Sequence, residues 1–189
     1  MRFYLDEAVA LKATVFKCEL NISDMDRHYY HTHSLTIARH PSENDLRMMV
    51  RLLAFALNAH EDLQFTKGLS TQDEPDIWLK NLSDEIETWI DLGQIEEKRL
   101  RQACGKAKNV VIYTYNDKQA GPWQQQMEKH FSRHDNLSVF HISSSDSEAL
   151  ESLADKNMDI QITIQDGEVF IISGDVQHQL KTTPIFPIP

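Results

Sequence analysis

The chain has 189 residues, of which 41% are hydrophobic and 25% charged, with a formal net charge of −10. That length and apolar content suffice to bury one good core, so a single domain with small additions is expected. The negative balance argues against a protein that coats duplexes, because phosphate binding draws on clustered Lys and Arg, but it leaves room for a local basic patch.

No stretch of 18 apolar residues and no charged-then-apolar leader occurs, so the expectation is a cytoplasmic protein with no membrane span. Residues 13–22 alternate, with Phe16, Cys18, Leu20 and Ile22 on one side, and 29–39 can return as the partner strand after a turn at 23–27. His28, His31 and His33 fall here. Their spacing can set two imidazoles on one face, but zinc needs a further ligand from elsewhere, so an exposed histidine-rich strand competes with a metal site.

Residues 43–60 read as a helix, with Ser42 and Asp45 as a capping box behind Pro41. Leu46, Met49, Val50, Leu52, Leu53, Phe55, Ala56 and Leu57 wrap most of its circumference, which predicts a largely buried helix. Its charged stripe, Glu43, Arg47 and Arg51, has the spacing of an intrahelical ion ladder.

Next comes an acidic hairpin. Asp76, Trp78 and Lys80 point one way and Ile77 and Leu79 the other; in the second strand Ile86, Thr88, Ile90 and Leu92 share one face and Glu87, Trp89 and Asp91 the opposite one. Residues 81–85 suit the connecting loop, so the strands pair antiparallel with their apolar faces together. Asp76, Glu87 and Asp91, with Glu74 just before, then crowd one face. Carboxylates that close must stay wet, take up protons, or share a cation or an arginine. Magnesium or manganese, hard ions that favour oxygen ligands, fit that face; so does a plain solvated acidic surface. Trp78 and Trp89 can stack nucleobases or pack across the hairpin.

Residues 95–108 form a second amphipathic helix, with Leu100, Ala103, Cys104 and Ala107 on one side and Lys98, Arg99, Arg101 and Lys106 over the other. A buried strand at 110–115, a helix at 119–132, a strand at 137–142 and a short helix at 147–157 follow. Residues 160–172 are a hairpin turned by Asp166-Gly167. This order predicts an α/β fold, a mixed β-sheet with helices on both faces and additional β-hairpins near both termini. Residues 1–9 read as an N-terminal extension, 10–175 as the domain, and 176–189, with its late prolines, as an exposed tail. Cys18 and Cys104 lie on apolar faces, which argues against a structural disulfide. No P-loop, G-x-G-x-x-G or G-x-S-x-G pattern occurs, so the commonest NTPase, dinucleotide and hydrolase readings drop out.

The segments LKATVFKCELNISDMDRHYY, LTIARHPSENDLRMMVRLLAFAL, GLSTQDEPDIW, IETWIDLGQIEEKRLRQACGKA and ITIQDGEV, in this order, resemble the YaeQ family of small bacterial proteins over about residues 10–175. The resemblance implies a variant of the restriction-endonuclease-like PD-(D/E)xK nuclease fold. Carried over by residue, Pro75-Asp76 looks like the PD element, Asp91 like the acid of the second element, and Glu43 like the helix-borne acid of many such enzymes. In those enzymes two carboxylates hold a metal that polarises the phosphate and activates water, helped by a lysine two residues after the second acid. Here that position is Gly93, and loss of one such group costs on the order of 10²- to 10³-fold in rate. Lys98 can reach back as a substitute, with Lys80 and Gln94 as weaker candidates. Two functions follow from the resemblance. One is a Mg- or Mn-dependent nuclease or phosphodiesterase with Asp76 and Asp91 on the metal; the other is a non-catalytic relative that binds a nucleic acid or protein partner in the same cleft.

Overall fold

The computed structural model describes residues 12–67, 69, 71, 73–187. The expected N-terminal extension, 1–9, lies outside them. Strands β1 (Thr14–Asp24) and β2 (Tyr29–Arg39) form the first hairpin, with Phe16, Cys18, Leu20 and Ile22 turned inward as the alternation requires. Helix α1 (Asp45–Leu57) follows, then the short β3 (Gln64–Phe65), β4 (Ile77–Lys80) and β5 (Ile86–Leu92). Next come α2 (Glu97–Lys106), β6 (Ala107–Thr114), α3 (Asp117–Phe131), β7 (Leu137–His141) and α4 (Ser144–Glu151). Strands β8 (Asn157–Gln165), β9 (Glu168–Ser173), β10 (Val176–Lys181) and β11 (Thr183–Phe186) complete the chain.

Two mixed sheets result, one ordered β10-β9-β8-β1-β2 and the other β11-β7-β6-β5-β4-β3. This corrects the single sheet with separate terminal hairpins. β1 and β8 run parallel in register from Lys17 opposite Asn157 to Asp24 opposite Ile164, welding the two terminal hairpins into one sheet. Asp166 and Gly167 turn the second of these hairpins with φ of 55° and 73°, the positive values that a two-residue type I′ turn needs.

The tail is also corrected. Residues 176–186 are two strands: β10 pairs with β9 in the first sheet and β11 with β7 in the second, so this segment fastens the sheets together. Pro184 is tolerated because β11 is an edge strand, where a missing N–H donor costs no ladder bond.

The second sheet is covered on both faces. Trp89, Val110, Ile112 and Val139 meet Leu100 and Ala103 of α2 and Trp123, Met127 and Phe131 of α3. Ile77, Ile90, Leu92 and Tyr113 instead join a larger core shared with α1, α4 and the inner face of the first sheet. Helix α1 is buried on all sides, from Met48 to Ala56, because it lies in that shared core. One apolar position departs from the expected face. The β4–β5 ladder slips between Leu79 and Lys80, so Ile86 packs against the α2–α3 cluster rather than beside Ile90.

Helix α1 starts two residues later than expected. Its N-cap is Asn44, whose side chain accepts from the Arg47 N–H at 2.9 Å. Ser42 cannot serve because its hydroxyl is engaged with the His40 ring at 2.6 Å. At the other end Arg27 donates to the Ala56 and Ala59 carbonyls, a cation at the negative end of the helix. The strand histidines have different fates. His33 is buried, bonded to the Tyr29 hydroxyl at 2.9 Å and edge-on to Phe55, whereas His31 stays exposed. Burial, with neighbouring His31, pushes the His33 pKa down. Cys18 and Cys104 are free thiols, pushed up to about 12 and about 11 respectively, by burial first of all.

Leu53 is 1% exposed in the shared core. Leu53→Ala should therefore cost about 2–5 kcal/mol through lost burial and a residual cavity, read from urea melts. A change within about 0.5 kcal/mol would mean that the residue does not carry core packing.

Candidate functional site

A cleft of about 570 Å³ opens beside the ends of β4 and β5, bordered by the first turns of α2 and by Arg47 of α1. Asp76 and Asp91 both line it. The Asp76 N–H donates to the Ile90 carbonyl at 3.0 Å, extending the ladder one residue beyond β4, and the Asp76 Oδ2 accepts from the Leu92 N–H at 2.9 Å. The two acids therefore stand side by side on one face, as the alternation requires. They are not a solvated face: Asp76 is 4% and Asp91 2% exposed.

What makes that burial tolerable is arginine. Arg47 Nη2 donates to both Asp76 oxygens at 2.8 and 2.9 Å, and its Nη1 donates to Glu43 Oε1 at 3.0 Å. Arg51 donates to the other Glu43 oxygen at 2.8 Å and to the Ala38 carbonyl at 3.0 Å. Asp91 has its own fork: Arg99 Nε and Nη2 donate to Oδ2 and Oδ1, each at 2.8 Å. Trp89 Nε1 donates to the same Oδ2 at 2.8 Å, so the buried tryptophan orients Asp91. Arg99 also reaches the Glu74 carbonyl at 2.7 Å. Three guanidiniums thus face three carboxylates.

The protonation equilibria follow. Burial works against the charge on Arg47, but Asp76, together with Tyr115 and Glu43, outweighs it and raises the pKa. The same balance, with Asp91 as the stronger opponent of burial, raises that of Arg99. For Arg51 burial prevails over Glu43 and Asp76, and the pKa falls. Its Nε is a buried donor with no partner among the described residues, and its guanidinium lies 5.4 Å from the Phe65 ring centre.

The remaining candidates are placed as follows. Glu43 is not helix-borne; it sits in the turn before α1, buried behind the cleft as the hinge between Arg47 and Arg51. The ion ladder exists but runs on into Asp76. Gln94 lines the cleft, yet its amide is committed to the Tyr115 carbonyl at 2.9 Å. Lys98 lines the cleft, is exposed, and has no ion-pair partner among the described residues. Lys80 pairs with Asp84 at 2.8 Å, its ammonium 4.1 Å from the Trp78 ring centre, in a separate depression. Gly93 has φ 88°, where a lysine would be strained. Arg47 and Arg99 are the site residues that sequence reasoning missed. Both stood on helix faces assigned to solvent or to a local ladder, and the only signal was the crowding of acids that an arginine must relieve. Among the described residues, no three His, Cys, Asp or Glu side chains gather as metal ligands. No helix there is long and apolar enough to cross a membrane.

Comparison with known proteins agrees with the residues that carry the resemblance. The family described as YaeQ protein matches residues 9–182. The uncharacterized protein YaeQ of Salmonella typhi is 44% identical over 173 residues, 92% of this chain and 94% of that protein. Its counterpart in Escherichia coli K12 is 44% identical over 163 residues, 86% of this chain and 90% of that one. Among solved structures, the YaeQ protein from Xanthomonas axonopodis pv. citri superposes with a TM-score of 0.88 at 44% identity, covering 91% of this chain and 97% of that one. The YaeQ protein from Pseudomonas syringae gives 0.86 at 31% identity, covering 93% and 97%.

The arginine clasp reverses a simple expectation. Were the acids unpaired, Asp91→Asn would relieve repulsion and stabilise the metal-free protein. With Arg99 on Asp91, the substitution strands a guanidinium whose side chain is only 22% exposed. It should cost about 2–3 kcal/mol in urea melts without metal, less than the ~3–5 kcal/mol of a fully buried pair. An unchanged or raised stability would show that the clasp is not formed in solution.

Proposed function

The chain belongs to the YaeQ family, and we propose that its cleft is a phosphodiester site in which Asp76 and Asp91 hold Mg²⁺ or Mn²⁺, on a variant of the PD-(D/E)xK nuclease fold. One observation carries this reading: two buried carboxylates from paired strands stand side by side at the mouth of an open cleft. The donor set fits the ion. Both groups are hard oxygen donors, magnesium commonly uses only one or two carboxylates plus water, and guanidiniums already occupy the cationic position opposite each. Charge favours a metal over a metal-free anion site, because among the described residues the cleft is lined by three cationic side chains, Arg47, Lys98 and Arg99, and four anionic ones, Asp73, Asp76, Asp91 and Glu96. A phosphodiester entering that lining needs a cation to accompany it.

When bound, the ion would supply Lewis-acid polarisation of the phosphate and an activated water. The chain supplies the rest. The Leu92 N–H and the Trp89 indole fix one oxygen of each carboxylate. Lys98, which is exposed and lines the cleft, would face phosphate in the role that Gly93 cannot fill. Glu43 acts through Arg47 and touches no substrate. A second reading, a non-catalytic relative that binds a nucleic acid or protein partner in this cleft, is favoured by the positive φ of Gly93, which leaves no lysine beside the second acid.

The test uses melts and cleavage together. Millimolar Mn²⁺ with a phosphorothioate oligonucleotide should raise the melting temperature, since ligands that bind only the folded state stabilise it. Asp76→Asn and Asp91→Asn should lose the metal-dependent part. Single-stranded or duplex DNA should be cut in Mn²⁺, and Lys98→Ala should slow cutting by about 10²- to 10³-fold. Metal-dependent stabilisation with no cleavage would select the non-catalytic reading. No metal-dependent shift, with or without oligonucleotide, would remove the metal site altogether.

A further inference from the structure

We propose that Arg47 and Arg99 are exchangeable placeholders: they hold the two acids while the cleft is empty and turn onto the substrate's phosphate when a divalent ion takes the carboxylates. This inference rests on the phosphodiester-site reading above. Its consequence is that metal and phosphodiester bind with strong positive coupling, each weakly alone.

The geometry that points to exchange is a division of labour at each carboxylate. Asp76 has a fixed donor, the Leu92 backbone N–H, and a swinging one, Arg47. Asp91 has a fixed donor, the Trp89 indole, and a swinging one, Arg99. Either acid keeps its orientation if the guanidinium leaves. Each arginine, in turn, has an anchor that does not involve its aspartate. Arg47 Nη1 is bonded to Glu43 Oε1, while its Nη2 alone faces Asp76. Arg99 Nη2 is bonded to the Glu74 carbonyl. A guanidinium that releases its carboxylate thus stays at the edge of the cleft. Both arginines line the cleft, with side chains 13% and 22% exposed, whereas Arg51, 4% exposed and outside the lining, is not placed to exchange.

Charge gives the direction of the coupling. Three guanidiniums and three carboxylates leave the cluster neutral. A divalent ion alone would leave it with two positive charges beneath the surface and would compete with guanidiniums already in place. A phosphodiester alone would meet arginines whose donors face aspartates. Bound together, the metal satisfies the carboxylates, the released arginines satisfy the phosphate, and the diester's single negative charge cancels half of the excess. Glu43 gains a role as the pivot of Arg47, a positioning residue.

Calorimetry with Mg²⁺ and a non-hydrolysable phosphorothioate dinucleotide tests this without reference to activity. In the wild-type protein the dinucleotide should tighten Mg²⁺ binding at least about tenfold, and by reciprocity Mg²⁺ should tighten the dinucleotide by the same factor. Arg99→Gln should bind Mg²⁺ more tightly than wild type when no dinucleotide is present, bind the dinucleotide more weakly, and lose most of the coupling. Arg47→Gln should do the same through Asp76, which guards against one variant folding poorly. Mg²⁺ binding that is unaffected by the dinucleotide and not tightened in either variant would overturn the exchange while leaving the metal site in place. Failure of Mg²⁺ to bind any of the three proteins under any condition would overturn the metal reading and the exchange with it.

Discussion

Three carboxylates and three guanidiniums meet beside the cleft, four of the six buried, and the need to pair them governs this part of the molecule. Removing an ion from water costs several kcal/mol even after relaxation, and the cost is offset only when partners meet with good geometry. Here the partners come from different elements. Glu43 stands before α1, Arg47 and Arg51 on it, Asp76 just before β4, Asp91 near the end of β5 and Arg99 on α2. The cluster therefore ties α1 on one side of the second sheet to α2 on the other. It also locks register. A one-residue slip of β4 along β5 would exchange the face of Asp76 with that of Ile77, putting a carboxylate into the apolar core and a methyl-rich side chain among guanidiniums.

The two cores set the stage on which the cluster acts. Ile77 and Ile90 belong to the core shared with α1 and the first sheet, and Trp89 to the one beneath α2 and α3. Asp76 and Asp91 follow the parity of Trp89, so they point to the α2 side, yet they sit at the strand ends, where that helix begins and the cover thins to a cleft. Burial deep enough to demand an arginine and an opening wide enough to admit a ligand thus coexist at the same residues.

Much of this was legible in the sequence wherever one short segment carried the whole signal. The β4–β5 alternation, the wrap-around burial of α1 and the Asp166-Gly167 turn each depend on neighbours a few residues apart, and each agrees with the structure in its main lines. The pairing of β1 with β8 depends on residues as distant as Lys17 and Asn157, and no local pattern records it. The tail misled for a related reason. Its prolines are poor central-strand residues, but on an edge they cost nothing, and only the tertiary order of strands shows that β11 is an edge. At the site, the positions of Asp76 and Asp91 followed from period two. Their partners did not, because Arg47 and Arg99 look like ordinary helix-surface cations until the sheet between their helices is in place.

Gly93 shows how a backbone constraint decides where positive charge enters the cleft. Its N–H donates to the Tyr113 carbonyl at 2.8 Å, carrying the β5–β6 pairing one residue past the strand, and with φ 88° the chain then turns away from the sheet. An in-strand lysine two residues after Asp91 would have to adopt that left-handed conformation, a strain that glycine avoids. The same turn delivers the chain to α2, whose second and third residues are Lys98 and Arg99. Cationic groups therefore reach the cleft from the helix rather than from the strand, one clasped to Asp91 and one exposed. The turn at this single glycine sets where α2 begins, and the arginine clasp on Asp91 follows from that placement.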